Sequence, residues 1–147
     1  MNALCTFRLV DRRYALDVSV VGEMVVADEL VPVPHASTAV LGVFALRGAP
    51  IACVDLGRLL GLPDLRSDRQ RGVHALVLRS GSTPLAAAAI DRADAVLDGR
   101  SLDFARRDAG EHPAVLGFVT LPAPRHDVIT VLDPAVALER VRALRYR

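Results

Sequence analysis

Apolar and polar residues alternate with a period of two in run after run of this chain, and that period limits what it can fold into. Leu4, Thr6 and Arg8 interleave with Cys5, Phe7 and Leu9. Such a pattern lines one face of an extended strand, whereas a helix needs a period of 3.6. Turn residues separate the runs, so the chain reads as many short strands with little helix. Residues 4–10, a turn at Asp11-Arg12-Arg13 and residues 14–18 make an expected hairpin. Residues 23–27 and 30–33 are further strands, the second confined to an edge because Pro32 and Pro34 donate no ladder hydrogen bond. Residues 37–41 fit one helical turn capped by Ser37 or Thr38.

The middle of the chain repeats the pattern. Residues 43–46 and 51–54 are strands around the turn Arg47-Gly48-Ala49-Pro50. Asp55 can cap a short helix, Leu56, Leu59 and Leu60 share one face of it, and Gly61 can end it. Residues 62–72 are polar and Arg-rich and read as an exposed connector. Strands are expected at 73–78, 84–90 and 93–97, although the alanines at 86–89 favour helix on propensity alone. A charged loop at 106–113 precedes strands at 115–121 and 128–132. A helix over 134–144, with Asp133 as cap and Pro134 at its first position, closes the chain.

An internal echo joins the two halves. Gly42-Val43-Phe44-Ala45-Leu46 is matched by Gly117-Phe118-Val119-Thr120-Leu121, and 51–55 by 129–133, each ending on an aspartate ahead of a helix. The expected class is therefore mainly β, two small barrels in one compact chain. A chain of 147 residues is the size of one domain. The subdomains are drawn at 1–62 plus the C-terminal helix, and at 73–132.

Composition excludes more than it proposes. The chain is 52% hydrophobic, yet no apolar run approaches the roughly 20 residues a membrane span needs. Arg8, Asp11, Arg12 and Arg13 interrupt any secretory h-region, so the chain is placed in the cytoplasm, with no direct membrane insertion. Cys5 and Cys53 sit in strand-like runs and read as free thiols rather than a disulfide. All 18 basic residues are Arg, but a net charge of +1 leaves no footprint for nucleic acid, and the sparse aromatics offer no base-stacking platform.

No chemistry is spelled out. His35, His74, His112 and His126 lack metal-ligand spacing, and no Cys-x-x-Cys or phosphate-cradling loop occurs. Ser80-Gly81-Ser82 reads as a hairpin loop, and Asp91 as a turn residue near Asp94. No catalytic residue, metal site or cofactor is expected. The informative segment is 42–56, where Gly48 permits a tight turn that holds Arg47 at its rim. A guanidinium there serves a partner's carboxylate or is simply solvated, and the residues alone leave the two readings level.

Leu41-Gly42-Val43, Leu46-Arg47-Gly48 and Val54-Asp55-Leu56 resemble the CheW-like domain of bacterial chemotaxis, which reads Gly-Val-x-x-Leu-Arg-Gly and then Asp-Leu. Phe7-Arg8-Leu9 with Tyr14-Ala15-Leu16, Val21-Gly22-Glu23-Met24, Val33-Pro34, Ala88-Ala89-Ile90-Asp91 and Val131-Leu132-Asp133 extend the likeness along the chain. Ala52-Cys53 departs from it, standing where the family has Pro-Val. The resemblance implies two intertwined five-stranded SH3-like barrels with short helices and a C-terminal helix. It implies an adaptor between the cytoplasmic domain of a methyl-accepting chemoreceptor and the regulatory domain of a chemotaxis histidine kinase, recruited to receptor clusters. It assigns partner contact to Arg47, with Gly48 in its turn, and to Glu23, Val21, Gly42, Ala93 and Val96. The alternatives are a paralogue that binds receptor but not kinase, and a regulatory barrel outside chemosensing.

Overall fold

The computed structural model describes residues 2–62, 71–122, 124–125 and 127–144. Its strands are β1 (Ala3–Leu9), β2 (Arg12–Asp17), β3 (Val21–Glu29), β4 (Val40–Leu46), β5 (Ala49–Asp55), β6 (Arg71–Ser80), β7 (Thr83–Ile90), β8 (Arg92–Asp98), β9 (Asp103–Arg106), β10 (Val115–Thr120) and β11 (Val128–Leu132). Helices α1 (Leu56–Leu60) and α2 (Pro134–Arg142) each follow a hairpin. One sheet has the order β3-β6-β7-β5-β4 and the other β8-β1-β2-β11-β10-β9. The boundary between the sheets is not the 62–73 connector. The chain starts in the six-stranded sheet, crosses to the five-stranded one for β3–β7, and returns. The connector's own residues 63–70 lie outside the described residues.

The echo in sequence is an echo in architecture. Within each sheet, a hairpin whose second strand leads into a capped helix also pairs that strand in parallel with another: β5 with β7, and β11 with β2. Asp55 accepts from the Arg58 amide at 3.0 Å, and Asp133 accepts from the Ala135 amide at 2.9 Å. Gly61, at φ 70°, ends α1 in the left-handed conformation that costs glycine least. Both hairpins shift register beside a glycine, Gly42 in β4 and Gly117 in β10. A side chain at either would strike the segment that packs across it. A Cβ on Gly42 would lie 2.8 Å from Leu30 Cβ and 2.9 Å from the Val31 oxygen, and one on Gly117 would lie 2.4 Å from the Ala105 oxygen.

Those close approaches mark how the sheets curl shut. Val31 and Val43 exchange hydrogen bonds of 2.9 and 2.8 Å, joining the segment after β3 to β4. Residues 30–33 make only this single bridge, since Pro32 and Pro34, on either side of Val33, carry no N–H for a ladder. In the other sheet β9, a strand that no apolar alternation in the sequence announces, takes the corresponding place against β10. Residues 37–40 form a turn, with the Val40 amide bonded to the Ser37 oxygen at 2.9 Å, not a helix. The first hairpin turns on Val10-Asp11 alone, so Arg12 and Arg13 already belong to β2.

Three apolar clusters result. The central one lies between the sheets and beneath both helices, and includes Phe7, Tyr14, Leu16, Leu76, Leu78, Leu60 and Val141. A second fills the five-stranded sheet around Cys53, Val73 and Val77; a third fills the other around Leu4, Val119 and Ile129. Strand β7 is the wall between the first two. Ala86 and Ala88 face the central cluster while Ala87 and Ala89 face the second. Burial on both faces overrides the helical preference of four alanines. Phe44 is half-buried at the margin of the second cluster. Thr6 is fully buried, and its hydroxyl donates to the Ala95 oxygen at 3.0 Å and accepts from the Ala95 amide at 3.1 Å. It thereby satisfies the backbone where the β1–β8 register shifts.

Candidate partner-binding site

The β4–β5 hairpin turns on two residues, Arg47 at φ 48° and Gly48 at φ 81°. Two successive positive φ angles match the twist of the flanking strands and make a tight hairpin. The turn is two residues shorter than expected, because Ala49 and Pro50 already pair with Leu46 and Ala45. Closure of the sheet through Val31 and Val43 brings the hairpin tip toward β3. There Arg47 Nη1 donates to Glu23 Oε1 at 2.5 Å. The guanidinium expected to await a partner's carboxylate thus has one within the chain. Its side chain stays 64% exposed, and that of Glu23 39% exposed. Arg47 therefore retains donors for a second acceptor.

Val21 opens β3, partly buried against the central cluster. Arg79 holds it there: its Nε donates to the Val21 oxygen at 3.1 Å, its Nη2 to the Val18 oxygen at 3.2 Å and its Nη1 to the Gly81 oxygen at 2.8 Å. Gly42 is buried in β4, where it serves the close approach of Leu30 and Val31 and offers no surface. Met24 and Val26 stand exposed on the outer face of β3. Among the expected residues the fold thus joins Glu23 to Arg47 and Gly48, with Val21 two residues away along β3.

Ala93 and Val96 lie apart from that pair, on edge strand β8 of the other sheet. Val96 is 67% exposed and pairs in register with Cys5, itself packed against the central cluster. Between them Asp94 collects three guanidiniums, from Arg13 at 3.0 Å, Arg8 at 3.4 Å and Arg92 at 3.5 Å. Glu23 and Asp94 occupy similar places, each on an edge strand beside a shift in register and each met by arginine. Nothing local in the sequence marks Asp94, because its arginines converge only once β1, β2 and β8 are laid side by side.

Among the described residues no group of three or more His, Cys, Asp or Glu side chains could hold a metal ion. Cys53 is fully buried, and burial, followed by the Asp55 carboxylate, pushes its thiol up to about 12. Burial also raises the Cys5 thiol. Neither is poised as a thiolate nucleophile. No helix among the described residues is long and apolar enough to cross a membrane.

Two curled sheets thus surround a shared core and carry an exposed ion pair and exposed aliphatic residues on their edge strands. The chain belongs to the CheW-like domain family, whose model matches residues 3–142. Members of that family are non-catalytic scaffolds of chemotaxis signalling. The fold is similar to that of the scaffolding protein TtCheW from Thermoanaerobacter tengcongensis, with a TM-score of 0.69 at 19% identity over 90% of this chain and 88% of that one. No curated protein matches the chain in sequence.

Proposed function

We propose that this chain is a cytoplasmic, non-catalytic adaptor that couples the tip of a methyl-accepting chemoreceptor to the regulatory domain of a chemotaxis histidine kinase. The observation that carries the reading is the exposed Arg47–Glu23 pair at a hairpin tip, in a chain of the CheW-like family. Paired in this way, the guanidinium is held in one orientation and still offers donors to an incoming carboxylate. The exposed aliphatic side chains supply the other half of such a contact. Val21 at the margin of the inter-sheet core, and Ala93 and Val96 on β8, suit a receptor helix that lays apolar residues between the sheets.

The departure at Ala52-Cys53 bears on kinase coupling. Both residues are fully buried in β5, so the change from Pro-Val alters packing inside the sheet and removes no surface group. That supports retained kinase binding over a paralogue that engages the receptor alone. Separate pull-downs with a receptor cytoplasmic fragment and a kinase regulatory domain test the reading. Capture of both supports it; capture of receptor alone favours the divergent paralogue, and capture of neither overturns it.

A further inference from the structure

We propose that the concavity between α1, α2 and the loop 35–39 docks an acidic, leucine-bearing peptide segment of a partner protein. Its volume is about 500 Å³, within the range of ligand-sized sites. Arg58 projects from α1 and Arg140 from α2, and His35 and Ser37 come from the loop. Leu59 and Leu144 supply apolar lining.

Charge selects the occupant. Arg8, Arg13, Arg47, Arg71, Arg92 and Arg100 all sit on carboxylates. Arg58 and Arg140 are among the described arginines with no such partner, and they are the two that share a concavity no described acidic residue lines. Arg58 Nη1 donates only to the Thr38 oxygen, at 3.1 Å. Ser37 Oγ accepts from the Ala39 amide at 3.3 Å, which leaves its O–H available to donate. Two guanidiniums and a hydroxyl suit a carboxylate, which their planar forks can grip with two parallel hydrogen bonds. The leucine lining suits an aliphatic side chain next to the acid, and gives bare phosphate nothing to bury.

The cradle is also fixed in place. The Asp55 amide bonds to the Ala39 oxygen at 2.7 Å and the Val40 amide to the Ser37 oxygen at 2.9 Å, so the loop is tied to β5 and closed on itself before any ligand arrives. Preformed sites lose less ordering entropy on binding. None of Val21, Glu23, Gly42, Arg47, Gly48, Ala93 and Val96 lines the concavity, so the proposal stands apart from the receptor-contact reading.

The test is an amide chemical-shift titration of the ¹⁵N-labelled full chain with the capped peptide acetyl-Ala-Leu-Glu-Leu-Ala-amide. Its glutamine counterpart and inorganic phosphate are the controls. The acidic peptide is expected to move the amides of Ala36, Ala39, Leu59 and Ala143. The glutamine peptide and the Arg140→Gln variant should each weaken binding at least about tenfold, the loss of a charge-assisted pair. Arg140 lies on an exposed helix face, and a thermal melt checks that the variant folds. Equal binding of the glutamine peptide, equal binding by Arg140→Gln, the same shifts with phosphate alone, or no shifts at millimolar peptide would each overturn the proposal.

Discussion

Arg47 Nη1 donates to Glu23 Oε1 at 2.5 Å, tying the β4–β5 tip to the edge strand β3. Both side chains reach solvent, and exposed pairs contribute about 0–1 kcal/mol. Arg47→Ala is therefore expected to lower stability by no more than about 1 kcal/mol while cutting partner capture. Exchanging the charges, Arg47→Glu with Glu23→Arg, should restore the melt and leave capture impaired. Full capture by Arg47→Ala would return the residue to a solvated hairpin tip.

The glycines separate close approach from turn geometry. Gly117→Ala would drive a Cβ to 2.4 Å from a backbone oxygen, and Gly42→Ala to 2.8 Å from Leu30 Cβ. Gly48 has nothing within 4 Å, so Gly48→Ala meets only the left-handed φ of 81°. That strain costs about 1–2 kcal/mol. The expected order of loss in chemical denaturation is Gly117 first, then Gly42, then Gly48. A Gly117→Ala variant as stable as the parent would contradict the described closure of β9 on β10.

Asp94 is the acceptor on which β1, β2 and β8 converge. Its side chain is 15% exposed and that of Arg13 10%, so Asp94→Ala leaves a nearly buried guanidinium with only the longer contact to Asp127, at 3.6 Å. The expected loss is about 2 kcal/mol, below the 3–5 kcal/mol of fully buried pairs because Arg8 and Arg92 keep access to water. Arg92→Ala, at a side chain 64% exposed, should change stability by less than about 0.5 kcal/mol. Urea denaturation of the two variants measures the contrast.

Periodicity located most strands, both aspartate caps and the echo between halves, because these are local: a two-residue alternation, an acid before a helix, a glycine after it. It did not locate β9, whose four residues pair only with β10 and carry no apolar run of their own. Nor did it divide the chain between sheets, since the parallel pairs β5–β7 and β11–β2 join segments far apart in sequence. The site was legible in the same uneven way. Arg47 at a tight turn could be read from Gly48 beside it, but its pairing with Glu23 needed the curl of the whole sheet. Asp94 was hidden for the same reason, and so was the unpaired state of Arg58 and Arg140.

Cys53 gives a pH prediction with a definite sign. Burial, then Asp55, raises its pKa from 9.0 to about 12 in the folded chain. The unfolded chain then releases the proton first as pH rises, so the stability is fully present below pH 9 and is lost progressively toward pH 12. By pH 10 the loss from this thiol is expected to be about 1 kcal/mol. Denaturation midpoints at pH 8 and pH 10 should fall further in the parent chain than in Cys53→Ala. Equal falls would mean that the thiol is not shielded as described.

The coupling role is tested most directly by sedimenting receptor cytoplasmic fragments, assembled on vesicles, with a kinase regulatory domain, in the presence and absence of this chain. An adaptor of the kind proposed carries the kinase domain into the pellet only when the chain is present, and carries less when Arg47 is alanine. Kinase domain that stays in the supernatant while the chain itself pellets would contradict coupling.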